Sequence, residues 1–327
     1  MNKETRNIFV IGNGFDLDLG MKTKYSDFAQ SSYWPISDSP VNQGPLYSYL
    51  YEYKKNLKDI EKINWFDLEE AFLDFATAQK RYTYEEKDVE QDQQCFLNLE
   101  CKFSEYLNDA QSKLEYSVVD KISVNVLNAI RGNGYFKYIY SFNYTDFSAL
   151  AKYYINYLPE NVVNIHGSLA DDSIILGIND KVKVPKPYRF LFKSRSKFYN
   201  SNNLVENLLN ADECVFFGMS FGSIDSIYFK HFFNEVINNA KDDKTAKKKN
   251  ITIFTYNEES RASIMDNLYD MNISMSDLYA SANFSFVTTQ KIEAQSNKDN
   301  FDVFIKRLHY NSRNEINRRY RDMLGEI

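Results

Sequence analysis

The sequence has few of the residues that build metal-bound, exported or membrane-embedded proteins. It contains only three cysteines, and no two of them form a C-x-x-C pair that could hold zinc or exchange disulfides. The apolar stretch after the polar N-terminus is far shorter than a signal-peptide core or the roughly 20 residues of a membrane span. We therefore expect a cytoplasmic protein with no structural zinc and no place in a membrane.

Basic residues are also fewer than acidic ones: the chain has 39 Lys plus Arg and 45 Asp plus Glu, which gives a formal net charge of −6. Proteins that coat nucleic acid carry the opposite balance, so a long nucleic-acid substrate is disfavoured. Hydrophobic residues make up 43% and aromatics 16%, which is enough for a folded core. The length indicates one large domain that carries an insertion.

Short β-rich runs alternate with helical patterns, which is typical of parallel βα units. Strands are predicted at 7–11, 135–142, 162–165, 174–178, 214–217, 251–255 and 284–287. Helices are predicted at 146–157, 202–210, 226–240, 259–270 and 301–323. Between the first two strands, helical periodicity dominates, with helices at 48–63, 66–78 and one or two within 85–129.

This pattern predicts an α/β fold with a Rossmann-like, mostly parallel sheet flanked by helices and a helical insertion after the first strand. The predicted nucleotide-binding domain spans 1–23 and 130–327, and the inserted helical subdomain spans 24–129.

Ligands of open parallel sheets bind beyond the carboxyl ends of the strands, so the strand exits are the places where chemistry is expected. The first strand ends in Gly12-Asn13-Gly14, and Gly20 follows later. Such glycines let the backbone approach a phosphate, and the amides of the next helix would face it. Leu17 breaks the G-x-G-x-x-G dehydrogenase pattern. The alternative interpretation is a tight turn without a ligand.

Two further strand exits carry one functional side chain each. Asn143 is an amide able to hold a sugar hydroxyl or a water, although Asn before a turn also caps helices. His166, directly before a glycine, is a candidate proton acceptor near neutral pH, although a lone His is more often structural.

The later exits carry Gly218, Ser220, Asp225 and Asn257. With Gly222, the first two match the G-x-S-x-G elbow of serine hydrolases. That interpretation ranks low, because the downstream candidates for the acid and the base, Asp266, Asp277 and His309, are not at strand ends.

The segment 179–199 mixes seven Lys and Arg residues with prolines and aromatics. It is either a lid over a phosphate-bearing ligand or a solvated surface loop.

Taken together in order, the motifs resemble the bacteriophage abortive-infection AbiH family. They are Ile11 to Leu17 with Gly20, Thr23 to Phe28, Trp65 to Ala71, Phe142 to Thr145, Ile165 to Gly167, and Gly218 to Ser220 with Asp225. The resemblance implies defence against phage, in which an infected cell stops growing before progeny emerge. It also implies a phage-derived trigger, and the helical insertion is a candidate for sensing infection or for assembling a homo-oligomer.

The same motif order is similar to the broader sirtuin-like group of NAD-binding folds. That resemblance implies a phosphate-binding turn at Gly12, Gly14 and Gly20, a catalytic pair of Asn143 and His166, and cofactor contacts from Gly218, Ser220 and Asn257. Asn13 stands where the group has a small residue, and Asp16 where it has Ser. A carboxylate beside a pyrophosphate weakens binding, so Asp16 is a candidate for holding ribose hydroxyls or a metal. Protein deacetylation is disfavoured, because the four-Cys zinc module of deacetylating sirtuins is missing.

We therefore expect a nucleotide ligand, with NAD as substrate, and hydrolysis of its nicotinamide–ribose bond. Asn143 would fix water or ribose, His166 would accept a proton, and Asp225 would bind ribose or orient His166. Two alternatives stay open. One is a metal-dependent nuclease-type toxin using Asp16, Asp18 and Asp225, and the other is a non-catalytic nucleotide sensor.

Overall fold

The computed structural model describes residues 7–38, 40, 43–59, 67–78, 85–114, 121–130, 136–156, 161–200, 202–243, 245, 247–290 and 297–308. The chain divides into two compact units. The sheet unit comprises Met1–Gly20, Glu115–Ile165 and Asn202–Ile327, and the helical unit comprises Met21–Leu114 and His166–Ser201.

The sheet unit contains one six-stranded sheet in which every neighbouring pair of strands is parallel. Its strands are β1 (Asn7–Ile11), β2 (Phe136–Ser141), β3 (Val162–Asn164), β4 (Glu213–Phe217), β5 (Asn250–Thr255) and β6 (Asn283–Thr288). The central strands β1 and β4 are buried along their whole length, as expected for apolar runs covered on both faces.

The strand order is β3-β2-β1-β4-β5-β6, so the chain turns back at the centre of the sheet. Ile11, the last residue of β1, pairs with Ser141 on one side and with Phe217 on the other. The carboxyl ends of β1, β2 and β4 therefore finish level with one another. A sheet of this order binds ligands in the crevice beyond β1 and β4, where the direction of winding reverses.

Eight helices of the sheet unit are described. They are α1 (Asn13–Leu19), α6 (Ile122–Ile130), α7 (Phe147–Ile155), α8 (Leu204–Asn210), α9 (Ser226–Asp242), α10 (Glu258–Asp270), α11 (Met275–Ser281) and α12 (residues 297–308). Apolar side chains of β1, β4 and β5 pack with α8 and α9 in a core rich in phenylalanine. Phe216 alone lies within 6.1 Å, centroid to centroid, of the rings of Phe221, Phe229, Phe232 and Phe233.

The helical unit is built on α2 (Tyr25–Ala29), α3 (Pro45–Asp59), α4 (Leu68–Ala78) and α5 (Glu86–Ser112). Segment 166–201 adds three short 3-10 helices, Leu169–Asp171, Lys186–Leu191 and Lys193–Arg195. The first packs on α5, and the second packs on α4, α5 and the third. Buried Asp92 of α5 ties the unit together, because it accepts hydrogen bonds from the Leu46 amide at 2.7 Å and the Tyr188 hydroxyl at 3.2 Å.

The predicted α/β fold is confirmed, and the six helices described between β1 and β2 confirm the predicted helix-rich insertion. The predicted stretch 85–129 contains two helices, α5 and α6, while α11 was not predicted. The predicted helix at 301–323 is described only as far as residue 308, and residues 309–323 lie outside the described residues.

The predicted strand at Ile174–Ile178 is wrong. These apolar residues are buried, but only Ile178 forms a bridge, with Phe192. Gly177, at φ +125°, interrupts the run and approaches so closely that an added Cβ would lie 2.3 Å from the Leu191 carbonyl oxygen. The run is therefore a buried extended segment of the helical unit, not a sheet strand.

The predicted domain boundaries stay a prediction. The compact units divide the chain differently, since segment 166–201 belongs to the helical unit and α6 to the sheet unit. Among the described helices, none is long and apolar enough to cross a membrane.

Candidate functional site

The glycine turn after β1 packs directly on the turn after β4. A Cβ added to Gly14 would lie 2.5 Å from the Cα of Gly218, and one added to Gly12 would lie 2.5 Å from the Sδ of Met219. Gly218 itself has φ +69°, a left-handed conformation that favours glycine. These three glycines therefore bring the two turns together at the point where the strand order reverses.

The same packing uses the main-chain N–H groups of Gly12 and Gly14, which the sequence analysis proposed as donors to a phosphate. The Gly12 amide donates to the Phe217 carbonyl oxygen at 2.9 Å, and the Gly14 amide donates to the Gly218 carbonyl oxygen at 3.0 Å. Their role in this structure is to shape the crevice rather than to offer donors to a ligand.

A cluster of buried polar side chains lies at the ends of β1 and β2 within the sheet unit. We call Asp16, Ser141, Asn143 and Thr145 the exit cluster; each has less than 5% of its surface exposed. The Thr145 hydroxyl donates to Asp16 Oδ2 at 2.8 Å. The Ser141 hydroxyl accepts a hydrogen bond from the main-chain N–H of Asn143 and donates one to the main-chain carbonyl oxygen of Asn143, both at 3.2 Å. These bonds fix the backbone at Asn143.

Three side-chain atoms of the exit cluster have no hydrogen bond of ordinary geometry to any described residue. They are Asp16 Oδ1 and both the Oδ1 and the Nδ2 of Asn143. Buried polar atoms are nearly always paired, and leaving one unpaired costs about 1–3 kcal/mol. The cluster thus holds two acceptors and one donor that a polar ligand or ordered water would satisfy.

Burial also shifts the protonation of Asp16. Desolvation of the carboxylate raises its pKa to about 7, against the opposing hydrogen bond from Thr145 and the smaller opposing effect of the nearby Asn143 amide. The Asn143 side chain acts as a weak second hydrogen-bond donor to Asp16, with a geometry outside the ordinary range. Asp16 therefore changes charge near neutral pH, where an ordinary Asp is fully ionised.

The remaining predicted residues of the opening motif have other local roles. Asn13 is the exposed first residue of α1. Gly20 ends α1 at φ +96° as its left-handed cap, about 10 Å of helix away from the Gly12–Gly14 turn. Asp18 accepts a hydrogen bond from the Ser123 amide at 2.8 Å, near the first turn of α6. The structure therefore brings Asp16, but not Gly20, to the exit of the sheet.

The serine-hydrolase elbow does not form at Ser220. The residue with positive φ is Phe221, at +56°, whereas an elbow strains the nucleophile itself. The exposed Ser220 hydroxyl accepts from the Gly222 amide at 3.4 Å, and α9 begins only at Ser226. Of the candidate partners, Asp266 is exposed on α10, Asp277 pairs with Lys241, and His309 lies outside the described residues.

Two other predicted contacts of the sheet unit sit at helix starts. Asp225 immediately precedes α9, and Asn257 precedes α10. The Asn257 Oδ1 accepts from the Ser260 amide at 2.8 Å, so this oxygen already caps the helix.

His166 belongs to the helical unit, where it lies in a second buried cluster with Lys193 and Glu69. The Lys193 Nζ is 2.9 Å from Oε1 and 3.0 Å from Oε2 of Glu69, and 3.3 Å from each ring nitrogen of His166. Because a lysine ammonium only donates, the ring nitrogen that receives its hydrogen bond offers a lone pair. This arrangement fixes the imidazole beside a buried ion pair.

The turn after His166 explains the glycine beside it. Gly167 has φ +76°, and an added Cβ would lie 1.8 Å from the Ser173 carbonyl oxygen. The Ile175 amide donates to the His166 carbonyl oxygen at 2.9 Å. Glycine at 167 is therefore required for the local packing of the histidine segment.

No cluster of three or more His, Cys, Asp or Glu side chains that could hold a metal occurs in the described part of the chain. The three cysteines are free thiols. The metal site suggested for Asp16, Asp18 and Asp225 therefore has no supporting geometry, since Asp18 is engaged with α6.

Sequence reasoning missed Thr145, Glu69 and Lys193. The first two stand inside motifs that the sequence singled out, and Lys193 stands in the basic segment 179–199. Each contacts a partner more than 100 residues away in the chain, so periodicity gave no sign of the pairing.

Comparison with known proteins yields one family. No curated protein and no solved structure matches the chain. Residues 8–245, nearly three quarters of the chain, match a family model described as Bacteriophage abortive infection AbiH, which confirms the family resemblance of the motifs. The matched span includes the exit cluster, His166 and the turn at Gly218, and on this match the chain belongs to the AbiH family.

Proposed function

We propose that this protein defends against phage by hydrolysing the N-glycosidic bond of NAD or a related nucleotide, with the exit cluster of the sheet unit holding the ribose. Membership of the AbiH family supports the role in phage abortive infection. The nucleotide chemistry is our proposal, and so is the kinship with the sirtuin-like group of NAD-binding folds.

The observation that carries the proposal is the set of unpaired polar atoms in the exit cluster. Asp16 Oδ1 and the amide of Asn143 are buried at the carboxyl edge of a Rossmann-like sheet. A ribose offers vicinal hydroxyls that both donate and accept. Such a pair matches a carboxylate oxygen beside an amide, since the carboxylate accepts from one hydroxyl and the amide both donates and accepts.

The strand order supports a dinucleotide as the ligand class. The sheet reverses between β1 and β4, and sheets of this order bind dinucleotides across that reversal. Gly12, Gly14 and Gly218 keep side chains out of the crevice there. Ser220 and Asn257, at the exits of β4 and β5, remain proposed contacts for the rest of the nucleotide.

The raised pKa of Asp16 reduces the conflict between a carboxylate and a pyrophosphate. With a pKa of about 7, Asp16 carries only part of a negative charge at neutral pH, so it repels phosphate less than an ordinary Asp would. A ribose hydroxyl that donates to Oδ1 would then stabilise the ionised form.

In the proposed reaction the bond between C1′ of the ribose and the pyridinium nitrogen breaks, and nicotinamide leaves as a neutral molecule with the bonding pair. A water oxygen bonds to C1′ and releases one proton. Asn143 orients the water or the ribose, and oriented dipoles of this kind stabilise the cation-like sugar of the transition state. The proton passes to solvent water in this scheme. The roles that the sequence suggested for His166 as proton acceptor and for Asp225 as ribose contact stay predictions.

Nicotinamide release tests the proposal. Cells that express the full chain are infected with phage to which the protein gives resistance, and NAD and nicotinamide are followed. We expect NAD to fall and nicotinamide to rise with the wild type, and Asn143→Ala to reduce the release by at least about 10²-fold. Asn234→Ala, on the exposed side of α9, serves as the matched control and should behave as the wild type.

Unchanged NAD during successful defence would refute the proposed chemistry, as would equal release by Asn143→Ala. Saturable NAD binding without release would favour the sensor, and chelator-sensitive cleavage of RNA or DNA would favour a nuclease.

A further inference from the structure

The helical unit contains a cavity that the proposed reaction does not use. It has a volume of about 550 Å³, within the range of small-molecule sites, and lies among α5, the Lys186–Leu191 helix and the segment that follows. Every residue that lines it belongs to the helical unit. We call it the basic cavity.

The charged lining of the basic cavity is opposite in sign to the chain as a whole. Four cations and a single carboxylate, Glu100, line it, whereas the whole chain has a net charge of −6. The cations are Lys186, Arg189, Arg195 and Lys197, and all four are exposed. Within the described residues, no carboxylate forms a salt bridge with any of them. A local excess of unpaired positive charge in a concave site attracts an anion.

The apolar part of the lining is aromatic. Phe96 of α5 and Phe190 pack with their ring centroids 5.8 Å apart, and the half-buried Phe198 lies under the Lys197 ammonium, 4.7 Å from its ring centroid. Leu97 beside them keeps 47% of its surface exposed. Rings and exposed apolar surface next to cations suit a ligand with a flat aromatic part and a charged part.

Glu100 is the one carboxylate among the described residues that line the basic cavity. Its Oε1 accepts from the Leu176 amide at 3.3 Å, and burial raises its pKa above the ordinary value. A partly buried carboxyl group of this kind has a free oxygen lone pair for a hydroxyl or amino donor.

We propose that the basic cavity binds a nucleoside phosphate, with its phosphate on the arginines and lysines and its base against the phenylalanine rings. Arginine matches phosphate oxygens in a bidentate fashion, and the aromatic rings offer a stacking surface for a planar base. The proposal is independent of the reaction proposed for the sheet unit. It gives the helical unit a ligand of its own through which the protein can be regulated.

The test is a calorimetric titration of the full chain with AMP. The chain carries Asn143→Ala in every sample, which weakens binding at the exit cluster, and any AMP still bound there contributes equally to all samples. We expect saturable binding that is at least about tenfold weaker with Arg189→Ala and Arg195→Ala together, and weaker at high salt for all samples. Lys181→Ala with Lys183→Ala is the matched control, because these exposed lysines are on the same segment but do not line the cavity; it should change affinity less than about twofold.

Two smaller probes separate the parts of the ligand. Adenosine lacks the phosphate and inorganic phosphate lacks the base, so both should bind more weakly than AMP. The replaced arginines are exposed, and an unchanged melting temperature verifies that the double variant folds.

The proposal is overturned if AMP does not bind saturably, or if the double arginine variant binds AMP as well as the control does. It is also overturned if adenosine binds as tightly as AMP, or if only longer single strands of RNA bind. The last result would identify a nucleic-acid surface instead.

Discussion

Asp16 in the sheet unit and Glu69 in the helical unit are both buried carboxylates, but their surroundings differ. Both oxygens of Glu69 lie within 3.0 Å of the Lys193 ammonium. Asp16 has one neutral donor, Thr145, and one oxygen without a partner. The first arrangement completes a buried ion pair, and the second leaves bonding capacity unused.

The comparison extends to the other fully buried acids. Asp92 accepts from a backbone amide and a tyrosine hydroxyl, and Glu213 accepts two hydrogen bonds from Arg307. Of these four carboxylates, only Asp16 retains an unpaired buried oxygen among the described residues. Buried carboxylates are nearly always paired, so this unpaired oxygen is the feature on which our proposed ligand site rests.

The largest stability loss should come from breaking the Glu69–Lys193 pair. Lys193→Met leaves a buried charge uncompensated, so we expect the free energy of unfolding to fall by about 3–5 kcal/mol in urea denaturation. The double variant Glu69→Gln/Lys193→Met should recover most of this loss. Lys241→Met, which breaks the exposed pair with Asp277, should cost less than about 1 kcal/mol. A comparable small cost for Lys193→Met would mean that the buried pair does not hold the helical unit together.

Removing the Asp16 charge should stabilise the protein, with a distinctive pH dependence. The folded protein keeps the proton of Asp16 up to pH about 7, whereas the unfolded chain loses it near pH 4, so wild-type stability falls as pH rises through that window. Asp16→Asn lacks this loss. Its advantage should be near zero at pH 4 and grow to at most about 4 kcal/mol above pH 7.

Unfolding free energies measured from pH 4 to 8 check this expectation. Asp266→Asn, an exposed site on α10, is the control and should give a difference that hardly varies with pH. A constant difference for Asp16→Asn as well would show that Asp16 does not titrate in this window.

The smallest effect should come from the single donor of Asp16. Thr145→Val keeps the shape but removes the hydroxyl that lies 2.8 Å from Oδ2. We expect a loss of about 1–2 kcal/mol at pH 8, less at pH 5, and a further rise of the Asp16 pKa. Thr145→Ser keeps the hydroxyl and should lose much less. Equal losses for Val and Ser at both pH values would assign the effect to packing alone.

The strands of the sheet were largely predictable because β1, β4 and β5 are runs of buried β-branched and aromatic residues that end in polar or glycine turns. Ile174–Ile178 has the same composition but no strand partners in the sheet, and composition alone does not reveal a missing partner.

Half of the candidate site was also predictable, since Asp16 and Asn143 lie within a few residues of the ends of β1 and β2. Their surroundings were not. Thr145 meets Asp16 across 129 residues of sequence, and Lys193 meets Glu69 across 124, through contacts that only the tertiary fold creates. The sequence likewise suggested the Gly12 and Gly14 amides as phosphate donors, whereas the fold uses them to join two turns.

The most direct measurement of the central claim is a carbon-13 NMR titration of the Asp16 carboxyl group with and without ADP-ribose, assigned with Asp16→Asn. We expect a pKa of about 7 in the free protein. Saturating ADP-ribose should lower it by at least about one unit, because a ribose hydroxyl that donates to Oδ1 favours the ionised form. An Asp16 signal and pKa that ADP-ribose leaves unchanged would contradict the claim that the exit cluster holds the sugar of a nucleotide.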